Sequence, residues 1–159
     1  MSEKVWFLTG ASRGFGREWT IAALERGDKV AATARDVSTL DDLADKFGDA
    51  LLPLTLDVTD RNAAFTAVKA AHDHFGRLDI VVNNAGYGQF GMLEELSEEE
   101  ARAQIETNVF GALWVTQAAL PHLKEGSCIL NTGSVTGLQG SPKLLDYSAT
   151  KGAIHAFTK

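Results

Sequence analysis

Five short apolar runs, each followed by a stretch of helical periodicity, restrict this chain more than any other feature of its sequence. Val5-Trp6-Phe7-Leu8-Thr9, Lys29-Val30-Ala31-Ala32-Thr33-Ala34, Leu51 to Leu56, Asp79-Ile80-Val81-Val82-Asn83 and Ser127 to Thr132 read as strands. Helices are expected over Phe15 to Arg26, Ser38 to Phe47, Asp60 to Phe75 and Ser97 to Leu123, with another opening at Leu145. Gly27, Gly48 and Gly76 stand where the first three should stop. Ser38 reads as an N-cap, and Ser97 with Glu100 forms a capping box. Runs this short and apolar are strands covered on both faces. Their alternation with helices demands parallel pairing through right-handed βαβ crossovers. The expected fold is α/β: a Rossmann-type doubly wound parallel sheet with helices on both faces. Residues 1–159 read as a single domain without linker, repeat or low-complexity segment.

Composition narrows the function classes. The chain has 159 residues, 45% of them hydrophobic, which suits one core and excludes disorder. Fifteen Lys and Arg against 21 Asp and Glu leave a net charge of −6, which argues against nucleic-acid or anionic-membrane surfaces. Leader-like and membrane-spanning runs are absent from the sequence, so a cytoplasmic location is expected. The single cysteine, Cys128, sits in the run Cys128-Ile129-Leu130 and reads as a small core residue in a reducing compartment. His72 and His74 lie near a helix end, and His122 and His155 read as isolated on helices. None has ligand spacing, so no metal is expected. Trp6, Trp19 and Trp114 read as core or interface. The acidic run from Glu94 to Glu100 reads as a solvated helix entry.

The first strand runs directly into Thr9-Gly10-Ala11-Ser12-Arg13-Gly14-Phe15-Gly16, and a helix follows. A strand, a glycine turn and a helix N-terminus make an anion site, because free amide N–H groups point at the ligand. Gly10 would make the tight turn, Gly14 would let backbone approach a pyrophosphate, and Gly16 would allow close helix–strand packing. Tyr147 and Lys151 are separated by four residues and so share one helix face. A lysine ammonium beside a phenol favours the phenolate, which makes Tyr147 a candidate general acid for carbonyl reduction or base for alcohol oxidation. Ser134, thirteen residues earlier, can hydrogen-bond the same carbonyl oxygen.

These motifs resemble those of the short-chain dehydrogenase/reductase family. The glycine spacing at 10, 14 and 16 matches its T-G-x-x-x-G-x-G, and Asn83-Asn84-Ala85-Gly86 matches its N-N-A-G. Asn108, Ser134 and the Y-x-x-x-K pair Tyr147 and Lys151 fall in the family's order, and the resemblance covers essentially the whole chain. It implies an oxidoreductase that moves a hydride between nicotinamide and a carbonyl or alcohol. Asn108, Ser134, Tyr147 and Lys151 would be catalytic, with Lys151 also at the ribose and Asn108 positioning a proton-relay water. Gly10, Ser12, Arg13, Gly14, Phe15, Gly16, Arg35, Asp57, Val58, Asn83, Ala85 and Gly86, with Tyr147 and Lys151, would bind the cofactor. Asp57-Val58 corresponds to the adenine-contact pair. The position where a carboxylate would select NAD(H) falls on Ala34, followed by Arg35, so NADP(H) is expected and NAD(H) possible. A register shift of one or two residues would instead bring Asp36 to the ribose.

The resemblance also implies more than 159 residues supply. A loop over the nicotinamide, a substrate lid and further C-terminal strands would follow Lys159, leaving the fifth strand as an uncovered edge. Residues 1–159 are therefore expected to be the incomplete N-terminal part of a longer domain. Up to about Pro121 the chain resembles one branch of the family, and from Asn131 onward another. Pairing of the long helix and the last helix across a two-fold axis implies a homodimer or homotetramer. A non-catalytic dinucleotide-binding or sensing module, or an inactive fragment, is the alternative. Substrate identity is not readable.

Overall fold

The computed structural model describes residues 2–159. Its five strands form one parallel sheet in the order β3-β2-β1-β4-β5, with β1 Val5–Leu8, β2 Lys29–Ala34, β3 Leu51–Thr55, β4 Ile80–Asn83 and β5 Cys128–Asn131. The helices are α1 Gly14–Glu25, α2 Asp41–Phe47, α3 Arg61–Phe75, α4 Glu98–Ile105, α5 Gly111–Ala119, α6 Thr136–Gln139 and α7 Leu145–Thr158. Side chains alternate across the pleat. Val5, Phe7, Ala31 and Val81 face α3 and α5, whereas Leu8, Val30, Ala32 and Val82 face α1 and α2. The order reverses direction at β1, so β1 and β4 leave their C-terminal ends side by side above a crevice. In open α/β sheets that crevice is where ligands bind.

Several local expectations are corrected. Asp36, not Ser38, caps the turn before α2: its carboxylate accepts from the Ser38 amide at 3.0 Å and opens a 3-10 turn over Val37–Leu40. Both residue types cap well, and the backbone leaves β2 early enough for the aspartate to take the role. The helix expected from Ser97 to Leu123 begins with its capping box but is interrupted by a π turn over Glu106–Phe110 and ends in a 3-10 turn over Leu120–His122. Cys128 is exposed rather than in the core. It shares the α1 side of the sheet with Ile80 and Val82, but among the described residues no helix covers β5 on that side, and Leu130 there is 46% exposed. Nor is His122 isolated, since its ring packs on His72 with centroids 4.5 Å apart.

Candidate active site and dinucleotide cleft

The glycine turn is built as the spacing requires. Gly10 has φ +69°, and a Cβ there would lie 2.9 Å from Ala85 Cα. A Cβ on Gly16 would lie 2.1 Å from the Gly10 carbonyl oxygen, so only glycine lets α1 start this close to β1. Gly14 has φ +58° but faces open space. Arg13 is the N-cap of α1 and gives no side-chain cap, and there is no acid in the first turn. An uncapped helix start normally costs about 1 kcal/mol. Here its amides stay available to an anion, next to the partial positive charge of the helix end.

Thr9 and Asn84 hold the crevice together. The buried Thr9 hydroxyl donates to the Val82 carbonyl and accepts from the amides of Asn84 and Ala85, each at 3.0 Å. Asn84 returns its side-chain amide to the carbonyls of Thr9 and Gly10. Neither had been given a role from sequence. The signal lay in the T-G and N-N dipeptides, whose polar residues stand at strand ends where backbone partners run out.

A cleft of about 820 Å³ opens here. Gly10, Ser12, Arg13, Gly14, Phe15, Arg35, Asp57, Val58, Ala85 and Gly86 all line it, joined by Ala34, Leu56, Tyr87 and Thr107. Arg13 and Arg35 are exposed and in no ion pair among the described residues. The Asp36 carboxyl is held below the ordinary aspartate range by hydrogen bonds from the Ser38 hydroxyl and amide, and it does not line the cleft. Asp57 presents one carboxylate oxygen to the Thr59 amide and hydroxyl at 3.0 and 2.8 Å. Asn83 and Gly16 are not among the lining residues, and neither are Tyr147 and Lys151, which pack behind Gly88 and Gly86 of the cleft wall. Asn83 is buried and donates to Thr116 at 2.9 Å and Asn131 at 2.8 Å, tying β4 to α5 and β5. The strand's alternation turns Asn83 into the molecule and leaves Asn84 at the mouth.

The remaining candidates converge on α7. Lys151 is 5% exposed, and its ammonium donates to the Thr132 carbonyl at 2.7 Å. Its Nζ lies 5.6 Å from the centroid of the Tyr147 ring, so the pair does share a face. Burial lowers the Lys151 pKa from the usual lysine value. Asn108 sits in the π turn, buried, with both side-chain N–H groups used and its oxygen accepting once. Nδ2 donates to the Tyr87 carbonyl at 2.8 Å and to Thr150 Oγ1 at 3.1 Å, while Oδ1 accepts from the Tyr87 amide at 3.0 Å. Asn108 thus braces the loop after β4 against α7, a job for which a π turn re-aims the side chain. Ser134 follows β5, and its hydroxyl pairs with Thr136 Oγ1 at 2.9 Å. His155, expected to be isolated, lies with Nε2 2.8 Å from the Ser134 carbonyl oxygen.

Comparison with known proteins places these features. The family model described as short chain dehydrogenase matches residues 4–159. An oxidoreductase of Botryotinia fuckeliana is 42% identical over 158 residues, covering 98% of this chain and 58% of that protein. The crystal structure of a short-chain dehydrogenase from Streptomyces avermitilis superposes with a TM-score of 0.94 at 40% identity, over 98% of this chain and 58% of that one. A 3-ketoacyl-(acyl-carrier-protein) reductase from Brucella melitensis, complexed with NADH, gives a TM-score of 0.92 at 35% identity, over 98% and 67% of the two chains. The present chain therefore spans little more than half the length of the curated relatives it matches.

Proposed function

Since the chain belongs to the short-chain dehydrogenase family, we propose that it is the nucleotide-binding and catalytic portion of an NADP(H)-dependent oxidoreductase acting on a carbonyl or alcohol. The carrying observation is a buried lysine and its i−4 tyrosine packed against Gly86 and Gly88, which wall the cleft that the uncapped, glycine-lined start of α1 opens onto. The cofactor, when bound, supplies or accepts the hydride.

This chain's residues do the rest. The amides at the start of α1 and the Gly14 backbone receive the pyrophosphate, and Asp57 and Val58 the adenine. Arg13 and Arg35 take a 2′-phosphate, which supports NADP(H); the NADH bound to the Brucella reductase is the precedent for the competing choice. Tyr147 gives its phenolic proton to the carbonyl oxygen in reduction and takes it back in oxidation. Lys151 has one donor committed to Thr132, leaving two for the ribose and the tyrosine hydroxyl. Ser134 polarises the carbonyl. Asn108 keeps the Gly86–Gly88 loop against α7. Two or four copies assemble through α4, α5 and α7, in a cytoplasmic protein.

Tyr147→Phe tests this reading in the full-length enzyme, with a panel of aliphatic and aromatic ketones. Deleting the hydroxyl while keeping the ring should lower kcat by about 10²–10⁴-fold, the usual worth of general acid catalysis. The Kd for NADPH should stay within about twofold. Parent-rate reduction by the variant would refute the assignment.

A further inference from the structure

The Ser134 turn is wrapped around one imidazole. A Cβ on Gly133 would lie 2.8 Å from His155 Cε1, and one on Gly137 would lie 2.8 Å from His155 Cδ2. The ring fills the space a side chain on Gly133 would take, whereas at Gly137 the α7 backbone stands nearer still, with Lys151 C at 2.6 Å and the ring beside it. The Ser134 carbonyl oxygen accepts from the Gly137 amide at 3.1 Å and contacts His155 Nε2 at 2.8 Å. A carbonyl oxygen cannot donate, so the histidine must carry its proton on Nε2. The serine hydroxyl, in turn, is set by Thr136, whose amide donates to it at 3.3 Å and whose own hydroxyl lies at 2.9 Å. Ser134 sits between the end of β5 at Asn131 and the start of α6 at Thr136, so no strand ladder fixes its backbone.

We infer that His155 is a positioning residue: by donating Nε2–H to the Ser134 carbonyl and filling the space beside Gly133, it fixes the direction in which Ser134 presents its hydroxyl to the substrate carbonyl. The inference rests on the proposed function for Ser134. It extends the site to a fifth side chain that touches neither substrate nor cofactor. His155 stands four residues beyond Lys151, so one face of α7 supplies the proton donor, its ammonium partner and the brace for the serine.

The test uses the full-length enzyme, NADPH and a ketone panel. His155→Leu removes the donor and should lower kcat at least about tenfold, with the Kd for NADPH unchanged within about twofold. His155→Gln can still donate from its Nε2 and should recover half or more of the parent rate. In a Ser134→Ala background, His155→Leu should add nothing, because the group it positions is gone. A parent-like His155→Leu, full additivity with Ser134→Ala, or equal loss of cofactor binding would overturn the inference. If Ser134→Ala itself turns over at the parent rate, the failure lies in the role given to Ser134. Nitrogen NMR of the unmodified protein decides independently of turnover and of how the variants fold. An Nε2-protonated His155 is expected, and an Nδ1-protonated ring would overturn it.

Discussion

At the end of β2, Ala34 and Arg35 line the cleft, so this strand end brings a methyl group and a guanidinium to its wall and no carboxylate. The nearby acid, Asp36, is spent on capping, since its carboxylate holds the Ser38 amide and hydroxyl. A charge-assisted contact to a phosphate is worth about 1.5–3 kcal/mol. Arg35→Asp should therefore shift the NADPH-to-NADH ratio of kcat/KM by about tenfold or more toward NADH. A parent enzyme already preferring NADH would defeat the assignment. With the two duties proposed for it, Lys151→Ala should lower kcat and also raise the Kd for the cofactor, unlike Tyr147→Phe. Titration of NADPH fluorescence checks the binding half. Much of the candidate site is legible in the sequence, because Tyr147, Lys151 and the glycines carry their chemistry in their type and spacing. Asn83 and Asn84 were not told apart. Two adjacent asparagines are equivalent in sequence, and only the pleat decides which faces the crevice.

The elements follow the apolar runs closely, but the joints between them depend on tertiary partners. β5 illustrates the limit: an apolar run reads alike at a sheet's centre and at its edge, so Cys128 gave no sign that it would be exposed. The π turn in the long helix has no residue signature either. It arises where Asn108 must reach Tyr87 and Thr150 at once. The α1–β2 joint shows the energetics plainly. Asp28 is buried and accepts from the Lys4 amide at 2.9 Å, Trp6 Nε1 at 2.8 Å and Arg26 Nε at 3.0 Å. Burial pushes its pKa up, but the hydrogen bonds and the Arg26 charge outweigh that and leave it below the usual aspartate value. With the folded pKa depressed, the stabilisation is complete above the unfolded value of about 3.9 and is lost as pH falls through the folded value. Asp28→Asn should cost about 1.5–3 kcal/mol at neutral pH. Thermal melts of parent and variant should differ most near neutrality and converge in strong acid; a constant difference across that range would count against this account.

On the scale of the whole molecule, the sheet order brings the uncapped start of α1 and the loop after β4 around one crevice, with α7 packed behind that loop, although they lie far apart in sequence. Apolar side chains also remain on the outer helices: Ile105 is 44% exposed, Leu120 57% and Phe157 36%. Such a surface on paired helices fits a two-fold interface, so light scattering of the full-length protein at micromolar concentration should give a dimer or tetramer. A monomer would remove the proposed assembly but leave the site intact. The central claim is hydride transfer within the crevice, and isotope transfer reads it directly. NADPH carrying deuterium at the transferable C4 position is incubated with the full-length enzyme and a ketone that it turns over, and the alcohol is analysed by mass spectrometry. The account predicts one deuterium on the carbinol carbon of every product molecule; Tyr147→Phe, which removes the proton donor and not the hydride, should form about 10²–10⁴-fold less product in the same time, each molecule still deuterated. Alcohol formed without deuterium, or no ketone of the panel reduced with either nicotinamide cofactor, would contradict it.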